Sequence, residues 1–559
     1  MTRAAVGVAV VLLIHASHNP VRAQTDSTLL RRVDSVLAPW NHDDTPGCAL
    51  GVDRGGAPLL RRAVGLANLE AQTRWSVGTI SESGSVAKQF VAAGLVLLAL
   101  DGKLSLDDDI SRWIPEVRGV SRRITIRHLL THTSGLPDRY LLHEVEGRPA
   151  GEVDHPNVEV MHVVSRLREL NFDPGEDYLY SNTGYVVAVA VLESVSGRSL
   201  QQFTDERIFR PLGMTSTRWR EDHRVVVPGR AAAYSGTRDR GFRNDHPFTR
   251  VFGSGGLLTT VDDFLKWQSA LQRNSAWAPV RDSLEVVGRL NDGTVLTYGL
   301  GTGVSTWRGV RVVSHTGSTG GYRAALYRYP ARDVAIALLC NVGSIDPAAV
   351  ARGVAEAVLG GALAANEPAP RPVSVDAARL TSLAGVYHAP RTEQVLRLTV
   401  REGSLFHDAS RLIPVAPDRF RYPTGNASLI VVGGGNGGPQ RLRVESPGDR
   451  AVEYVRAAPP RLDATRLASY EGLYRSPELD AEYRVVVERD TLRLSSAWRP
   501  SIPLAPLYDD GFAVAGANRI RFLRGTGGGV TGFLVWAGRV RHLRFERVSE
   551  PAASGGRAP

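Results

Sequence analysis

Ser85 and Lys88 lie three residues apart in the stretch "SGSVAKQF". In a helix this spacing places both side chains on one face, one turn apart. A serine hydroxyl becomes a good nucleophile when a neighbouring base takes its proton. A lysine amine can be that base when desolvation or a nearby cation lowers its pKa, whereas arginine does not deprotonate in proteins. The chain has three lysines among its 67 Lys+Arg residues, so a lysine here indicates a need for a removable proton.

Two further groups of residues could complete such a site. Tyr180 and Asn182 precede a predicted helix, where a tyrosine beside a cation can relay protons as a phenolate and an asparagine can position a substrate carbonyl. The segment His315-Thr316-Gly317-Ser318 is predicted on an edge strand. Glycine there lets a substrate backbone approach, and the Ser318 and Ser85 N–H groups could stabilise a developing oxyanion.

Each group also has a simpler explanation. Ser85 could cap a helix that carries a surface lysine, Tyr180 could be a packed aromatic residue, and His315 could be a histidine with satisfied hydrogen bonds. Because the three groups occur together in one chain, we favour the catalytic interpretation.

The region before about residue 362 mixes helix and strand patterns, which predicts an α/β domain with a large helical part. Its start, "GCALGVDRGG", predicts a strand and a turn, and "GSVAKQFVAAGLVLLALDGKLSL" predicts a long apolar helix that ends near Asp101. Two more helices are predicted in "GYVVAVAVLESVSG" and "AAVARGVAEAVLG". The segments "GYRAALYRYP" and "DVAIALLCNV" predict paired strands.

Beyond this region the pattern becomes short alternating strands with an internal repeat. "DAARLTSLAGVYHAP" at 376–390 aligns with "DATRLASYEGLYRSP" at 463–477. This repeat predicts two small antiparallel β-barrels of lipocalin-like type. The predicted domain boundaries are a signal peptide at 1–23, a catalytic domain at 24–362, a linker at 363–375, barrels at 376–460 and 461–549, and a disordered tail at 550–559.

The N-terminal segment, the net charge and the cysteines indicate where the protein is located and what it binds. The N-terminal run "AAVGVAVVLLI" after Arg3, followed by Val21-Arg22-Ala23, is typical of a secretory signal peptide, so we expect an exported, periplasmic or secreted protein without a membrane anchor in its mature form. The net charge of +10 is scattered, which favours a basic surface over nucleic-acid binding. Cys48 and Cys340 are expected as two buried thiols, although export also permits a disulfide.

The order Ser85-x-x-Lys88, Tyr180-x-Asn182 and His315-Thr316-Gly317 resembles the serine β-lactamase and penicillin-binding-protein superfamily, in its class C branch with related esterases and D-aminopeptidases. Blocks such as "IRHLLTHTSGLPD" and "GSGGLLTTVDDFLKW" strengthen the resemblance, which covers about residues 26–360. It implies a β-lactamase-like fold, Ser85 as the acylated nucleophile, and Lys88 and Tyr180 as partners in the general-base role. It also implies substrate positioning by Asn182 and oxyanion-hole amides at Ser85 and Ser318.

One departure from the family pattern concerns the substrate. His315 stands where β-lactamases and most peptidases of this group have lysine, and neutral histidine is a weaker anchor for a substrate carboxylate. This favours esters, amides or D-amino-acid peptides with a free N-terminus. A third motif with histidine and two barrels resembles the D-aminopeptidases, in which a barrel loop reaches the cleft. A penicillin-binding or β-lactamase-like peptidase, an acylated sensor without turnover, and a scaffold with a vestigial site remain alternatives.

Other features of the sequence predict no additional chemistry. His132, in "THTSG", is interpreted as part of a structural turn after a helix. Neither a Cys/His cluster nor an HExxH segment is found in the sequence, so we expect no metal and no cofactor. The expected partner is a small-molecule or peptide substrate, with the oligomeric state left open.

Overall fold

The computed structural model describes residues 27–120, 122–148, 153–365, 370–433, 440–514 and 518–549. The predicted signal peptide and the predicted tail lie outside these residues, as do residues 366–369 of the predicted linker. None of the described helices is both long and apolar enough to span a membrane. The described residues form the helices α1 Ser27–Leu37, α2 Lys88–Leu100, α3 Ile126–Leu130, α4 Arg139–Val145, α5 Asn157–Arg166, α6 Asn182–Ser196, α7 Leu200–Thr204, α8 Val261–Arg273, α9 Ala278–Leu284, α10 Pro347–Leu359, α11 Ala377–Leu383 and α12 Ala464–Ser469.

The N-terminal part contains one large antiparallel sheet with the strand order β10-β11-β12-β13-β1-β2, and several short strands beside it. The strands of this part are β1 Cys48–Arg54, β2 Ala57–Val64, β3 Leu66–Asn68, β4 Thr73–Arg74, β5 Ser81–Glu82, β6 Arg218–Trp219, β7 Tyr234–Thr237, β8 Gly241–Asn244, β9 Leu257–Thr259, β10 Gly303–Trp307, β11 Val310–Thr319, β12 Tyr322–Tyr329 and β13 Val334–Cys340. The predicted pairing of β12 with β13 is confirmed.

Helices cover both faces of this sheet. Helices α1 and α10 pack on one face, and α8 packs on the other. The central strands β12 and β13 are therefore buried on both sides, which explains their nearly continuous apolar sequences. Helix α2 is apolar on every side because it packs among α6, α7 and α9 in the helical part of the domain. These elements bear out the predicted α/β and helical architecture.

Cys48 and Cys340 form a disulfide, so the expectation of two free thiols is wrong. They lie at the ends of the neighbouring antiparallel strands β1 and β13, where the register places them directly opposite each other. Cross-strand neighbours bring their Cβ atoms close enough for a sulfur–sulfur bond. The positions of the two residues in sequence, 292 apart, gave no sign of this register.

The strand that carries the third motif, β11, is second in the sheet and not its edge. The edge strand β10 pairs only with residues from Val310 to Ser314 of β11. His315 to Ser318 therefore pair with β12 on one side, and their other side faces the 3-10 turn Gly84–Ala87 that precedes α2. This stretch has no strand partner on that side because β10 is short.

The C-terminal region consists of two nearly closed antiparallel barrels of nine strands each, which confirms the predicted pair of barrels. The first comprises β14 Gly385–Ala389, β15 Gln394–Arg401, β16 Ser404–His407, β17 Ser410–Arg411, β18 Ile413–Ala416, β19 Arg419–Arg421, β20 Ser428–Gly433, β21 Arg441–Glu445 and β22 Val452–Arg456. The second comprises β23 Gly472–Arg475, β24 Glu482–Glu488, β25 Thr491–Ser496, β26 Arg499–Pro503, β27 Ala505–Tyr508, β28 Gly511–Ala513, β29 Arg519–Arg524, β30 Val530–Ala537 and β31 Val540–Val548.

The repeat seen in the sequence has a structural counterpart. Each barrel starts with a short helix, and the first strand carries a buried tyrosine whose hydroxyl donates to a carbonyl at the C-terminal end of that helix: Tyr387 to Leu383 O at 2.9 Å, and Tyr474 to Tyr470 O at 2.7 Å. The second barrel shares a continuous hydrophobic core with the N-terminal domain. It is therefore packed firmly against the domain that contains Ser85.

Candidate active site

Ser85 and Lys88 lie at the start of α2, as their spacing predicted. Ser85 belongs to a 3-10 turn, Gly84–Ala87, and Lys88 is the first residue of the α-helix that follows. The Lys88 Nζ is 3.1 Å from the Ser85 Oγ. The nucleophile candidate and the amine are therefore in direct hydrogen-bond contact.

Lys88 is fully buried, and its amine has three polar neighbours. Besides the Ser85 hydroxyl, the amine contacts Asn182 Oδ1 at 2.9 Å and the carbonyl oxygen of Ser254 at 2.6 Å. Desolvation is the main cause that holds the pKa of Lys88 well below its ordinary value, with Asp138 opposing this effect and Arg539 adding to it. The site thus favours an uncharged amine.

This lowered pKa has a consequence for stability. Between the pKa of folded Lys88 and its ordinary value of 10.5, the unfolded chain binds a proton that the folded chain does not. The contribution of Lys88 to the free energy of unfolding therefore rises with pH across that interval. We expect the difference in unfolding temperature between the wild type and Lys88→Met to shift in favour of the wild type from pH 7 to pH 10, measured by thermal denaturation. A difference that does not change with pH would show that Lys88 is charged in the fold.

Asn182 is held at both ends of its amide. Its Oδ1 accepts from Lys88, and its Nδ2 donates to Asp138 Oδ2 at 2.9 Å. The backbone N–H of Asn182 also donates to Asp138 Oδ2, at 2.8 Å, at the start of α6. An amide nitrogen has two hydrogens, so one Asn182 N–H remains available to a substrate carbonyl.

Tyr180 packs between Lys88 and His132. The Lys88 amine is 4.8 Å from the centre of the Tyr180 ring, and the rings of Tyr180 and His132 are 4.0 Å apart between centroids. Desolvation raises the pKa of Tyr180 well above its ordinary value, with the Ser85 hydroxyl partly opposing the rise. Burial therefore favours the neutral phenol and acts against the phenolate form that a tyrosine beside a cation could adopt.

His132 has the structural role that the sequence indicated. It lies just after α3 with φ +60°, and its Nδ1 accepts from the backbone N–H of Ser181 at 3.1 Å. Its carbonyl oxygen accepts from Leu179 N at 3.0 Å. These bonds position the loop that contains Tyr180.

His315 lines the same cavity but carries no charge. Its Nδ1 donates to the carbonyl oxygen of Thr316 at 2.5 Å, so its Nε2 accepts from the Tyr298 hydroxyl at 2.8 Å. Desolvation and the neighbouring Lys88 lower the pKa of His315 to about 4. Both ring nitrogens are occupied, and the third motif supplies no cation.

Glycines allow the backbones of the first and third motifs to touch. A Cβ on Gly84, which has φ +50°, would lie 2.5 Å from Ser318 N, and a Cβ on Gly317 would lie 1.9 Å from the carbonyl oxygen of Ser83. Only glycine fits such an approach. The segments that contain the Ser85 and Ser318 amides are therefore held side by side, as an oxyanion hole requires.

These residues line one cavity of about 670 Å³. It brings together seven of the eight predicted site residues, Ser85, Tyr180, Asn182, His315, Thr316, Gly317 and Ser318, while Lys88 lies buried behind Ser85. Arg539, from the β30–β31 hairpin of the second barrel, also lines this cavity. A barrel loop therefore reaches the cleft.

One group of side chains away from this cavity has metal-ligand chemistry. His143, His155 and Glu159 bring one candidate ligand atom each to within 4.8 Å of one another. The two imidazole rings are stacked at 3.8 Å with only 8° between their planes. Their in-plane lone pairs therefore run parallel and do not converge on one ion. The geometry fits a stacked histidine pair and does not fit a metal centre.

Several contributors to the site were missed by sequence reasoning. Three of them lie in segments that resemble the family, Asp138 in "IRHLLTHTSGLPD", Ser254 in "GSGGLLTTVDDFLKW" and Tyr298 in "YGLGTG". The resemblance gave no role to these residues. Arg539 lies in the segment "AGRV" of a barrel strand pair, which carries no signal of a site.

Comparison with known proteins agrees with this geometry. The family model described as Beta-lactamase matches residues 7–359. The chain is 26% identical to the D-aminopeptidase of Brucella anthropi over 91% of this chain and 96% of that protein. It is 31% identical to penicillin-binding protein 4* of Bacillus subtilis over 49% of this chain and 63% of that protein. The octameric penicillin-binding protein homologue from Pyrococcus abyssi shares the fold, with a TM-score of 0.54 at 21% identity over 77% of this chain and 99% of that one. The chain belongs to the beta-lactamase family and is a serine hydrolase of that family.

Proposed function

We propose that this serine hydrolase acts through an acyl-enzyme on an amide, an ester or a D-amino-acid peptide, with Ser85 as nucleophile. The observation that carries the proposal is the fully buried Lys88 amine, whose pKa is lowered by desolvation, in contact with the Ser85 hydroxyl. An uncharged amine has two hydrogens and one lone pair. The Asn182 Oδ1 and the Ser254 carbonyl can only accept, so they take the two hydrogens and leave the lone pair for the Ser85 proton.

The reaction then proceeds in two halves. Lys88 takes the proton of Ser85 while the Oγ attacks the substrate carbonyl carbon, and the Ser85 and Ser318 amides stabilise the oxyanion. The protonated Lys88 delivers the proton to the leaving group as the acyl-enzyme forms, with Tyr180, whose ring centre lies 4.8 Å from the amine, as a relay. A water molecule attacks the ester in the second half with the same groups in reverse order, and Ser85 regains its proton.

The substrate class rests on two observations. A relative that aligns with 91% of this chain is named a D-aminopeptidase. His315 is neutral and both of its nitrogens are engaged, so the position that holds a substrate carboxylate in the penicillin-binding pattern has no cation here. Both observations support substrates whose binding does not depend on a contact between a carboxylate and the third motif. The N-terminal segment supports export to the periplasm or outside the cell.

A substrate panel tests this proposal. Release of p-nitroaniline from D- and L-amino-acid anilides, hydrolysis of short-chain p-nitrophenyl esters, and hydrolysis of a β-lactam are measured with the same enzyme preparation. Continuing turnover of D-amino-acid anilides or of esters supports the proposal. A single stoichiometric burst would identify an acylated sensor, and preferential β-lactam hydrolysis would identify the β-lactamase-like alternative.

The third motif permits a prediction on specificity. Replacing His315 with lysine restores a cation that can pair with a substrate carboxylate. We expect His315→Lys to raise kcat/KM for β-lactams and other carboxylate substrates relative to neutral esters by about tenfold. Steady-state kinetics on both substrate types gives this ratio. An unchanged ratio would contradict the assignment of this position to the substrate.

A further inference from the structure

Arg539 occupies a special place in the second barrel. Ala537 pairs with Val540, so Gly538 and Arg539 form a two-residue turn between β30 and β31, with Gly538 at φ +54°. The turn contacts the N-terminal domain through its backbone. The Arg539 carbonyl oxygen accepts from Asn171 Nδ2 at 3.0 Å and from Asp138 N at 3.3 Å. The guanidinium is thus held at the cleft by fixed main-chain contacts.

The guanidinium itself is only loosely engaged. Its closest carboxylate is Asp138 Oδ2, at 3.5 Å, and this oxygen already accepts two hydrogen bonds from Asn182. The guanidinium donates no hydrogen bond to any residue in the described part of the chain, and the side chain is 35% exposed. It also lies 5.4 Å from the centre of the Tyr180 ring. Its N–H groups are therefore available to a molecule in the cavity.

The other arginines of the cavity wall each donate several hydrogen bonds to the protein. Arg220 is 2% exposed and binds Glu82 through two nitrogens. Arg323 donates to the carbonyl oxygens of Gly320, Tyr322 and Gly343. Among the described residues of the cavity, Arg539 is the arginine whose guanidinium donates no hydrogen bond to the protein.

The other basic side chains of the described site are each held by hydrogen bonds to the protein. Burial also lowers the pKa of Lys88 and the pKa of His315. Asp245, which lies next to Gly321 beyond the end of β11, is a carboxylate of the same cavity and suits the positive end of a substrate. Arg539 beside Tyr180 and Asp245 beside Gly321 thus place opposite charges at two points of the cavity wall, with Arg323 near Asp245.

We propose that Arg539 is a specificity-determining residue that binds a carboxylate of the substrate. This inference rests on the proposed function and narrows its substrate class to acids. A planar guanidinium with several free N–H groups matches a carboxylate through paired hydrogen bonds. The cation that the third motif lacks is supplied by the second barrel, which gives this barrel a part in substrate recognition.

Matched pairs of esters test the proposal. The pair 3-acetoxybenzoate and 3-acetoxybenzamide differs only in a carboxylate on the leaving group. The pair monophenyl adipate and its terminal amide differs only in a carboxylate on the acyl group. We expect the wild type to prefer the acid in at least one pair by about 10- to 100-fold in kcat/KM, through KM. That pair identifies the side on which Arg539 binds.

Variants separate recognition from a general effect on catalysis. Arg539→Gln should reduce the preference to about onefold, Arg539→Lys should retain part of it, and Arg539→Glu should favour the amide. Arg544→Gln, on the exposed face of β31, is the matched control and should keep the wild-type ratio. A wild-type ratio near one in both pairs, or an unchanged ratio in Arg539→Gln, would overturn the proposal. Equal losses of kcat/KM for the acid and the amide in Arg539→Gln would also overturn the proposal.

Binding measurements keep this test independent of turnover. Calorimetric titration of Ser85→Ala with the four esters gives the acid-to-amide ratio of dissociation constants without hydrolysis. Absence of hydrolysis by the wild type with a retained binding preference would contradict the proposed function and support the role of Arg539. Hydrolysis by the wild type without a preference of Ser85→Ala for the acids would support the proposed function and contradict the role of Arg539.

Discussion

Ser85→Ala is expected to lower kcat by at least about 1,000-fold and to abolish labelling by a fluorophosphonate probe. The substitution removes only the hydroxyl group, and Lys88 keeps its contacts with Asn182 and with the Ser254 carbonyl. The variant should therefore fold normally and lose only the attacking oxygen. Hydrolysis of a p-nitrophenyl ester and mass spectrometry of the labelled protein measure the two effects.

The control for this prediction is Ser165→Ala, which removes an exposed hydroxyl on α5. It should keep wild-type turnover and labelling. In the wild type, the probe should be found on the peptide that contains Ser85 and on no other. A probe adduct that persists in Ser85→Ala would place the nucleophile elsewhere and would end the assignment.

Local spacing made the first part of the site predictable. Ser85 and Lys88 are three residues apart, so any helical conformation brings them together. The Lys88 amine contacts Asn182 and the Ser254 carbonyl, which lie 94 and 166 residues further along the chain. Only the resemblance to a known family could suggest the contact with Asn182. Backbone carbonyls such as that of Ser254 leave no trace in residue type, so this contact was beyond sequence reasoning.

The barrels show the same division between local and distant information. The repeat predicted two copies of one β unit, because alternating patterns and turn residues are local signals. It could not predict which hairpin would face the cleft. Arg539 stands in one of many Arg-containing hairpins of an arginine-rich chain, and its position at Tyr180 depends on how the second barrel packs on the N-terminal domain.

The pairing register of two strands explains why Cys48 and Cys340 were wrongly expected to be free thiols. Both residues were predicted in strands, correctly, but a disulfide requires that the two strands be neighbours and that the residues face each other. The neighbours β1 and β13 come from opposite ends of the domain. The order of strands in a sheet is a long-range property, which composition and periodicity do not contain.

Lys88→Arg tests whether the amine acts as a base or as a fixed positive charge. Arginine keeps the charge but cannot give up its proton, so we expect kcat to fall by about 100- to 10,000-fold. The space around the amine is closed by Ser85, Asn182 and the Ser254 carbonyl, and the site already disfavours a cation because it is desolvated. Steady-state hydrolysis of an ester or a D-amino-acid anilide measures the loss.

The chain provides its own controls for this substitution, because its other two lysines can be replaced in the same way. Lys103 is exposed, and Lys266 pairs with Asp263 at the surface, so Lys103→Arg and Lys266→Arg should retain wild-type rates. A folded Lys88→Arg variant with wild-type kcat would show that the site needs a charge and not a base. If Lys88→Arg does not fold, Lys88→Met supplies the test: it has no titratable amine, so its residual rate should lose the rise with pH that deprotonation of Lys88 gives the wild type. A wild-type pH profile in that variant would assign the proton transfer to another group.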